Sequence, residues 1–84
     1  MKKLIKHIFA ELMDAQKYSD DHGAAKENGT KELYAILANE ELEHAKRLVD
    51  ACDQMVRTSE ENFLWDFERE RITEWWSKIR AEIG

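Results

Sequence analysis

Residues 33–55 read LYAILANEELEHAKRLVDACDQM, a stretch with the apolar spacing of a long amphipathic helix. At about 100° per residue, positions three or four apart share one helix face. This predicts a stripe of seven residues: Leu33, Leu37, Glu41, His44, Leu48, Ala51 and Met55. Ile36, Ala45 and Cys52 flank it. We therefore expect a helix over about 31–57 that carries a carboxylate and an imidazole, those of Glu41 and His44, inside an apolar stripe.

A second helix is predicted before that stretch, over about 2–26. Its stripe consists of Leu4, Ile8, Glu11, Ala15, Tyr18 and His22, and a second apolar flank holds Ile5, Phe9, Leu12 and Met13. The break after it is predicted from Gly23 and from Asn28-Gly29, a pair that tolerates the left-handed geometry closing a helix. Thr30 is then the expected cap of the next helix.

A third helix is predicted over about 59–83. Its apolar face is rich in tryptophan and consists of Leu64, Trp65, Ile72, Trp75, Trp76, Ile79 and Ile83. Thr58 followed three residues later by Glu61 matches a capping box, which marks the start of a helix. No stretch suggests a strand, so the predicted fold is all-α: one domain over residues 1–84, made of an antiparallel helical hairpin and a third helix.

Composition narrows the class of protein. The 84 residues include no proline, three glycines and a single cysteine, Cys52, so a disulfide-built fold is excluded. A net charge of -5 argues against a nucleic-acid partner. No apolar run is long enough for a membrane span or a secretory signal, so we expect a soluble, cytoplasmic protein. A chain this small buries little surface, and the wide apolar flank of the first helix predicts a homodimer or a multiple of dimers.

Polar residues on the inner helix faces point to chemistry. Glu11, Glu41, His44 and Glu68 each lie among apolar positions, where an ionised carboxylate is costly unless it is paired or bound to a cation. Glu41 and His44 form a Glu-x-x-His motif, one turn apart on one face. Mixed carboxylate and imidazole ligands suit iron, manganese or zinc better than calcium.

The chain midpoint between the two glutamates falls at Lys26, inside the predicted turn. An antiparallel hairpin therefore brings Glu11 level with Glu41. Glu11, Glu41-x-x-His44 and Tyr18, seven residues after Glu11, resemble half of a ferritin-like di-iron site. The 29 residues between Glu11 and Glu41 are similar to the short spacing of the half-bundle ferritin-like proteins, typified by encapsulated ferritins. This resemblance covers about residues 4–57. The tryptophan-rich third helix resembles that of short ferritin-like proteins from phage-derived gene clusters.

The resemblance implies a four-helix bundle completed by dimerisation, with a di-iron site shared between two subunits. It implies that Glu11, Glu41 and His44 ligate the metal and that Tyr18 is a hydrogen-bond partner around it. The implied activity is that of a ferroxidase, an oxidoreductase that oxidises Fe(II) with dioxygen or peroxide. Manganese or zinc are the alternative metals. A protein-shell partner is not expected, because no targeting tail follows residues 80–84.

Two alternatives stay open. Glu68 is either a third carboxylate on the metal or the partner of Arg71 in a helix salt bridge. The whole chain is either the metal protein described above or a non-enzymatic helical interaction module. In the second case a partner helix would dock on the face formed by Trp65, Trp75 and Trp76.

Overall fold

The computed structural model describes residues 1–57 and 62–84, and these residues form three helices. Helix α1 spans Lys2–Ala24, α2 spans Asn28–Val56 and α3 spans Asn62–Ile83. The described residues contain no strand, which confirms the all-α prediction for this part of the chain. The molecule is a rod of 50 × 16 × 16 Å. None of the helices it describes has the length and apolar character needed to cross a membrane.

The turn between α1 and α2 differs from the prediction. Asn28 and Gly29 lie in the first turn of α2 rather than in the break, and Thr30 does not cap it. No described residue has positive φ, so no left-handed residue closes α1. Instead the chain turns through extended backbone at Ala25 and Glu27. The capping box predicted at 58–61 lies outside the described residues.

The helical hairpin of α1 and α2 has a narrow core of small and branched side chains. Its fully buried members are Ile8, Leu12, Ala15, Ala38, Leu42, Ala45 and Cys52. Close approach of the two helices follows from the alanines, whose Cβ atoms leave room for the facing backbone. Cys52, which flanks the predicted stripe of α2, is buried in this core.

The stripe predicted on α2 is not the core face of the hairpin. Leu33 is 54% exposed, Met55 is 42% exposed and His44 is exposed, whereas Ala38, Leu42 and other residues about 100° further round the helix are buried. The helix has two apolar faces, and the chain's own helices cover the one with smaller side chains. The other face, which we call the open face of α2, carries the exposed Leu33, Ile36 and His44 and the half-buried Leu37.

Helix α3 runs parallel to α1 and antiparallel to α2. Arg71 lies over the ring of Phe9, and further along α3 Glu82 accepts a hydrogen bond from Ser19, so both helices advance in the same direction. Against α2, Trp65 contacts Asp53 and Trp76 contacts Leu42, which is the opposite order. The third helix thus closes one side of the hairpin and leaves the open face of α2 uncovered.

The tryptophans hold α3 in place. Trp65 is 1% exposed, and its Nε1 donates to Asp53 at 2.7 Å. Trp75 Nε1 donates to Gln16 at 3.0 Å, and Trp76 Nε1 donates to the backbone carbonyl of Leu42 at 2.9 Å. Every tryptophan N–H is therefore used within the chain. The face considered for a docking partner thus packs in part on the hairpin: Trp65 is buried, whereas Trp75 and Trp76 are half-buried.

Asp53 joins α2 to the start of α3. Its carboxylate accepts the Trp65 N–H and two-point hydrogen bonds from the guanidinium of Arg69, at 3.0 and 3.2 Å. Burial alone would raise the pKa of Asp53, but the hydrogen bonds from Arg69 and Trp65 outweigh it and hold the pKa below its usual value. A charge-assisted, two-point contact of this kind fixes both distance and orientation.

Candidate metal centre

Three side chains converge on the side of the hairpin away from α3. Glu11 projects from α1, and Glu41 and His44 project from successive turns of α2. The Nδ1 atom of His44 lies 3.6 Å from Oε2 of Glu11 and 3.7 Å from Oε1 of Glu41. One ligand atom from each of the three residues lies within 4.8 Å of the other two. The structure therefore brings Glu11 level with the Glu-x-x-His motif, as the hairpin midpoint predicted.

The electrostatics of this cluster favour a cation. Glu41 has its pKa raised from 4.5 to about 7, first by a hydrogen bond shared with Glu11, then by burial and by the negative charge of Glu11. His44 acts in the opposite direction and lowers it. Two carboxylates this close cannot both ionise without cost, and this raises the pKa of Glu41. A metal ion bound between them would offset that cost.

The distances from His44 to the two carboxylates suit a first-row metal. Ligands lie about 2.0–2.2 Å from such an ion, so neighbouring ligand atoms are about 3.0 Å apart and opposite ones about 4.2 Å apart. The two His44 distances fall between these limits. Imidazole with two carboxylates is also the donor chemistry that iron, manganese and zinc accept. The residues present therefore fit a metal, with part of its coordination shell left to other ligands.

The surroundings of the cluster are half open. Glu11 and Glu41 are partly buried, whereas the side chain of His44 is 52% exposed. Beside His44 lies a shallow depression lined by Ile36, Asn39, Glu40, Glu43 and Arg47. One edge of the cluster thus borders the hairpin core and the other borders the open face of α2. Anything that covers the open face would also close over the cluster.

Tyr18 and Glu68 lie outside the cluster. Tyr18 follows Glu11 by seven residues, about 10 Å along α1, and is half-buried without a hydrogen bond to the cluster in the described structure. Its role around the metal stays a prediction. Glu68 forms the ion pair with Arg71, at 3.7 Å, that was the alternative to ligation. It lies in a groove with Ile5 and Phe9 of α1. Since Phe9 and Glu11 are about 200° apart around that helix, Glu68 faces away from the cluster.

One further residue contributes to the field at the cluster. The negative charge of Asp14 adds to the raised pKa of Glu41, although Asp14 itself is exposed. Asp14 follows Glu11 by three residues, which is close to one helical turn, and this spacing was the available signal. The cluster therefore sits in a more negative field than its two carboxylates alone provide.

Comparison with known proteins adds no family to these observations. No protein family, curated protein or solved structure shows a significant match to this chain. The case for a function therefore rests on the cluster and the surface beside it.

Proposed function

We propose that this protein binds two iron ions at a ferritin-like site shared between two copies of the chain, and that it oxidises Fe(II) there. The observation that carries the proposal is the convergence of Glu11, Glu41 and His44 within 4.8 Å. Each is supplied by a helix, and a bound cation would offset the repulsion between the two carboxylates, which raises the pKa of Glu41.

We propose a site shared between two copies of the chain because of the number of ligands. One copy offers three ligands, too few for two metal ions, whereas two copies related by a twofold axis offer four carboxylates and two imidazoles. Four carboxylates also match the charge of two divalent ions. The open face of α2 supports the same arrangement, because Leu33 and Ile36 are more than half exposed beside the cluster. A second hairpin lying on this face would bury them and complete a four-helix bundle.

The protein's part in the chemistry would be to position the metal ions and to balance their charge. Glu41 would hold the metal together with Glu11 and His44, since it lies next to both. Iron bound there would supply the one-electron redox couple, with dioxygen or peroxide as the electron acceptor. His44, which lies on α2 one turn after Glu41, would be the imidazole ligand of the metal. Manganese or zinc would fit the same donors.

Metal stoichiometry tests the proposal. Untagged protein is loaded with Fe(II) without oxygen, freed of excess metal and analysed for bound iron, and its mass is measured by light scattering. We expect about one iron per chain in a dimer or a multiple of dimers. On admission of oxygen, the loaded protein should oxidise further Fe(II) faster than buffer alone.

His44→Ala should lose bound iron and oxidation while keeping its helical circular dichroism. The matched control is His7→Ala, which removes an exposed histidine of α1 and should bind as much iron as the wild type. Iron retained by His44→Ala would show that His44 is not a ligand. A monomer that holds iron would contradict the shared site, and failure of iron, manganese and zinc alike to bind would end the metal proposal.

A further inference from the structure

Helix α3 has an outer face that the described residues of the hairpin leave uncovered. Near its start Phe63 is 80% exposed, Phe67 is 60% exposed and Leu64 is 46% exposed, although Trp65 beside them is buried. Exposed apolar side chains that adjoin one another mark an interaction site rather than a surface that stays in water. We therefore expect this face to contact another molecule.

The outer face has the residue spacing of a coiled coil. Residues recur along it at alternating intervals of three and four, which places them on one side of a helix. All of them are exposed, and all lie within the described residues 62–84. We call this set the outer seam of α3: Leu64, Phe67, Arg71, Glu74, Lys78 and Ala81. Trp65, Ile72 and Ile79, which are buried against the hairpin, each follow a seam residue and lie about 100° round the helix from it.

The outer seam is complementary to a second copy of itself in the antiparallel orientation. When a twofold axis passes through the middle of the seam, between positions 72 and 73, residues at equal distances from the axis face each other. The three facing pairs are Arg71 with Glu74, Phe67 with Lys78, and Leu64 with Ala81. A guanidinium thus meets a carboxylate, an aromatic ring meets an ammonium group, and a large apolar side chain meets a small one. Twofold symmetry forms each pair twice.

A parallel pair of helices would lack this complementarity. It would bring each seam residue onto its own copy, so that Arg71, Glu74 and Lys78 would each face an identical charge. Like charges that face each other across an interface cost free energy and select against that arrangement. Glu74 and Lys78 make no ion pair within the described parts of the chain, so a second copy can supply their opposite charges.

The surface beside the seam fits the aromatic ring of a second copy. Lys78 lines a shallow depression together with Phe9 of α1 and Trp75, whose ring centres are 6.4 Å apart. Phe67 of the second copy would lie level with Lys78, so its ring would enter this depression and contact the two aromatic side chains. Arg71 at the edge of the depression is ordered by stacking, since its guanidinium lies 5.8 Å from the ring centre of Phe9 and 5.9 Å from that of Phe67.

The other acidic residues of this part of α3 lie beside the seam. Asp66 and Glu70 are about 100° and 60° from Phe67 round the helix, and they line a depression on the other side of Glu74. In an antiparallel pair they would lie at the rim, in contact with water, where salt screens their charge. Glu68 is half-buried on the opposite side and already forms an ion pair within α3. The seam itself therefore decides the orientation.

From this complementarity we propose that α3 pairs through its outer seam with the α3 of a second copy, antiparallel and about a twofold axis between positions 72 and 73. The contact is distinct from the one proposed at the open face of α2, which α3 leaves uncovered. A chain that uses both contacts joins the proposed shared-site dimers into a larger assembly. No seam residue belongs to the candidate metal centre, so the pairing requires no metal.

Charge reversal at the middle of the seam tests the pairing. Arg71→Glu would place carboxylates opposite each other, and Glu74→Arg would place guanidinium groups opposite each other. Each variant should therefore self-associate at least tenfold more weakly than its parent. An equimolar mixture of the two variants should regain the association of the parent, because each facing pair at these positions then joins opposite charges. Sedimentation equilibrium in chelator measures the association constants.

Two controls accompany this measurement. All the proteins, including the parent, carry Leu33→Ser and Ile36→Ser, so that association through the open face of α2 does not contribute. Glu70→Arg makes the same change of charge as Glu74→Arg at an exposed position outside the seam, and it should not weaken association. Both seam positions are exposed, so circular dichroism should show unchanged helicity. Recovery in the mixture also requires both variants to be folded.

A disulfide tests the orientation separately. Positions 64 and 81 face each other between antiparallel copies, whereas within one chain they are about 25 Å apart along α3. Mild oxidation of the Leu64→Cys, Ala81→Cys variant should therefore give a covalent dimer. Ala81→Cys alone should stay uncrosslinked, since position 81 faces its own copy only in a parallel pair. Cys52 is buried and does not compete.

Four results would overturn the proposal. Unchanged association of both charge-reversal variants would show that the seam is not the interface. A mixture without recovery would show that positions 71 and 74 do not face each other. Dimers formed by Ala81→Cys alone would show a parallel pair, and a parent protein that is monomeric at about 1 mM would show that no second copy covers the face. None of these results bears on iron binding by Glu11, Glu41 and His44, so the proposed function is tested independently.

Discussion

Replacing Glu41 by glutamine should stabilise the metal-free protein at alkaline pH and have little effect at acidic pH. The pKa of Glu41 is raised to about 7 in the folded protein, from about 4.5. The folded state therefore binds the proton more tightly than the unfolded chain does, and folding stability falls as the pH rises from about 4.5 to about 7. Glutamine carries no charge at any pH, and its amide N–H can donate to Glu11 as the protonated carboxyl does.

The size of the effect follows from the shift. At about 1.4 kcal/mol per unit, a rise from 4.5 to about 7 corresponds to an upper limit of about 3.5 kcal/mol. Water reaches the cluster, because the Glu41 side chain is 21% exposed and His44 is half exposed. We therefore expect about 1–2 kcal/mol at pH 8 after solvent screening, and about 0.5 kcal/mol or less at pH 5.

Thermal denaturation in chelator at pH 5 and pH 8, at one fixed protein concentration, measures both values. For a chain of this size each kcal/mol shifts the melting temperature by about 4–8 °C. Glu43→Gln is the matched control, since Glu43 is exposed on the same helix and lies outside the cluster. An equal gain at both pH values would refute the pKa argument, and so would the absence of a gain at pH 8.

With metal present the sign should reverse under the proposed function. A bound ion stabilises the wild type by about 2.7 kcal/mol at a hundredfold excess over its dissociation constant. Glu41→Gln loses a carboxylate ligand, so its melting temperature should fall below that of the wild type when iron is supplied without oxygen. If iron, manganese and zinc all fail to raise the melting temperature of the wild type, no metal binds at the glutamate pair. No reversal of sign is then expected.

Three further expectations concern the rest of the molecule. Asp53→Asn should destabilise the protein by about 1–3 kcal/mol in urea denaturation, because it weakens a charge-assisted junction. The exposed Asp50→Asn should not, and the difference should shrink as the pH falls through the lowered pKa of Asp53. Leu33→Ser with Ile36→Ser should lower the assembly mass in light scattering if a second copy covers these exposed residues. Cys52 should react with a thiol reagent only as fast as the protein opens, since burial removes access and raises the pKa of the thiol.

The pairing of α1 with α2 was predictable because it depends on the number of residues between each glutamate and the turn. A turn near Lys26 fixes the register of the hairpin, and this register places Glu11 opposite Glu41 whichever residue begins α2. The helix start itself was not predictable from Asn28 and Gly29, because extended backbone at Ala25 and Glu27 makes the turn without left-handed geometry. The predicted start of α2 was wrong by three residues, but this does not change the register between α1 and α2. The candidate site could therefore be predicted from the sequence.

The choice of core face on α2 could not be made from periodicity. Leu33 and Leu37 give the stronger apolar signal, yet the hairpin buries Ala38 and Ala45. Small side chains let two helices approach closely. Because alanine is only weakly hydrophobic, a search for apolar periodicity does not single it out as a core residue. The same limit applies to α3, where the exposure of Phe63 and Phe67 against the burial of Trp65 depends on which side of the helix meets the hairpin.

One side of the hairpin has two unfavourable features, a close pair of carboxylates and exposed apolar side chains, and metal binding with association would relieve both. Without a metal or a second copy, the nearby Glu11 carboxylate raises the pKa of Glu41, and Leu33 and Ile36 stay exposed to water on the same side of the hairpin. A second hairpin would bury the apolar residues, but it would also remove water from the carboxylates and raise their cost. Metal ions neutralise those carboxylates and so remove the penalty on burial. Under the proposed function, metal binding and association therefore favour each other, and thermodynamic linkage makes that effect reciprocal.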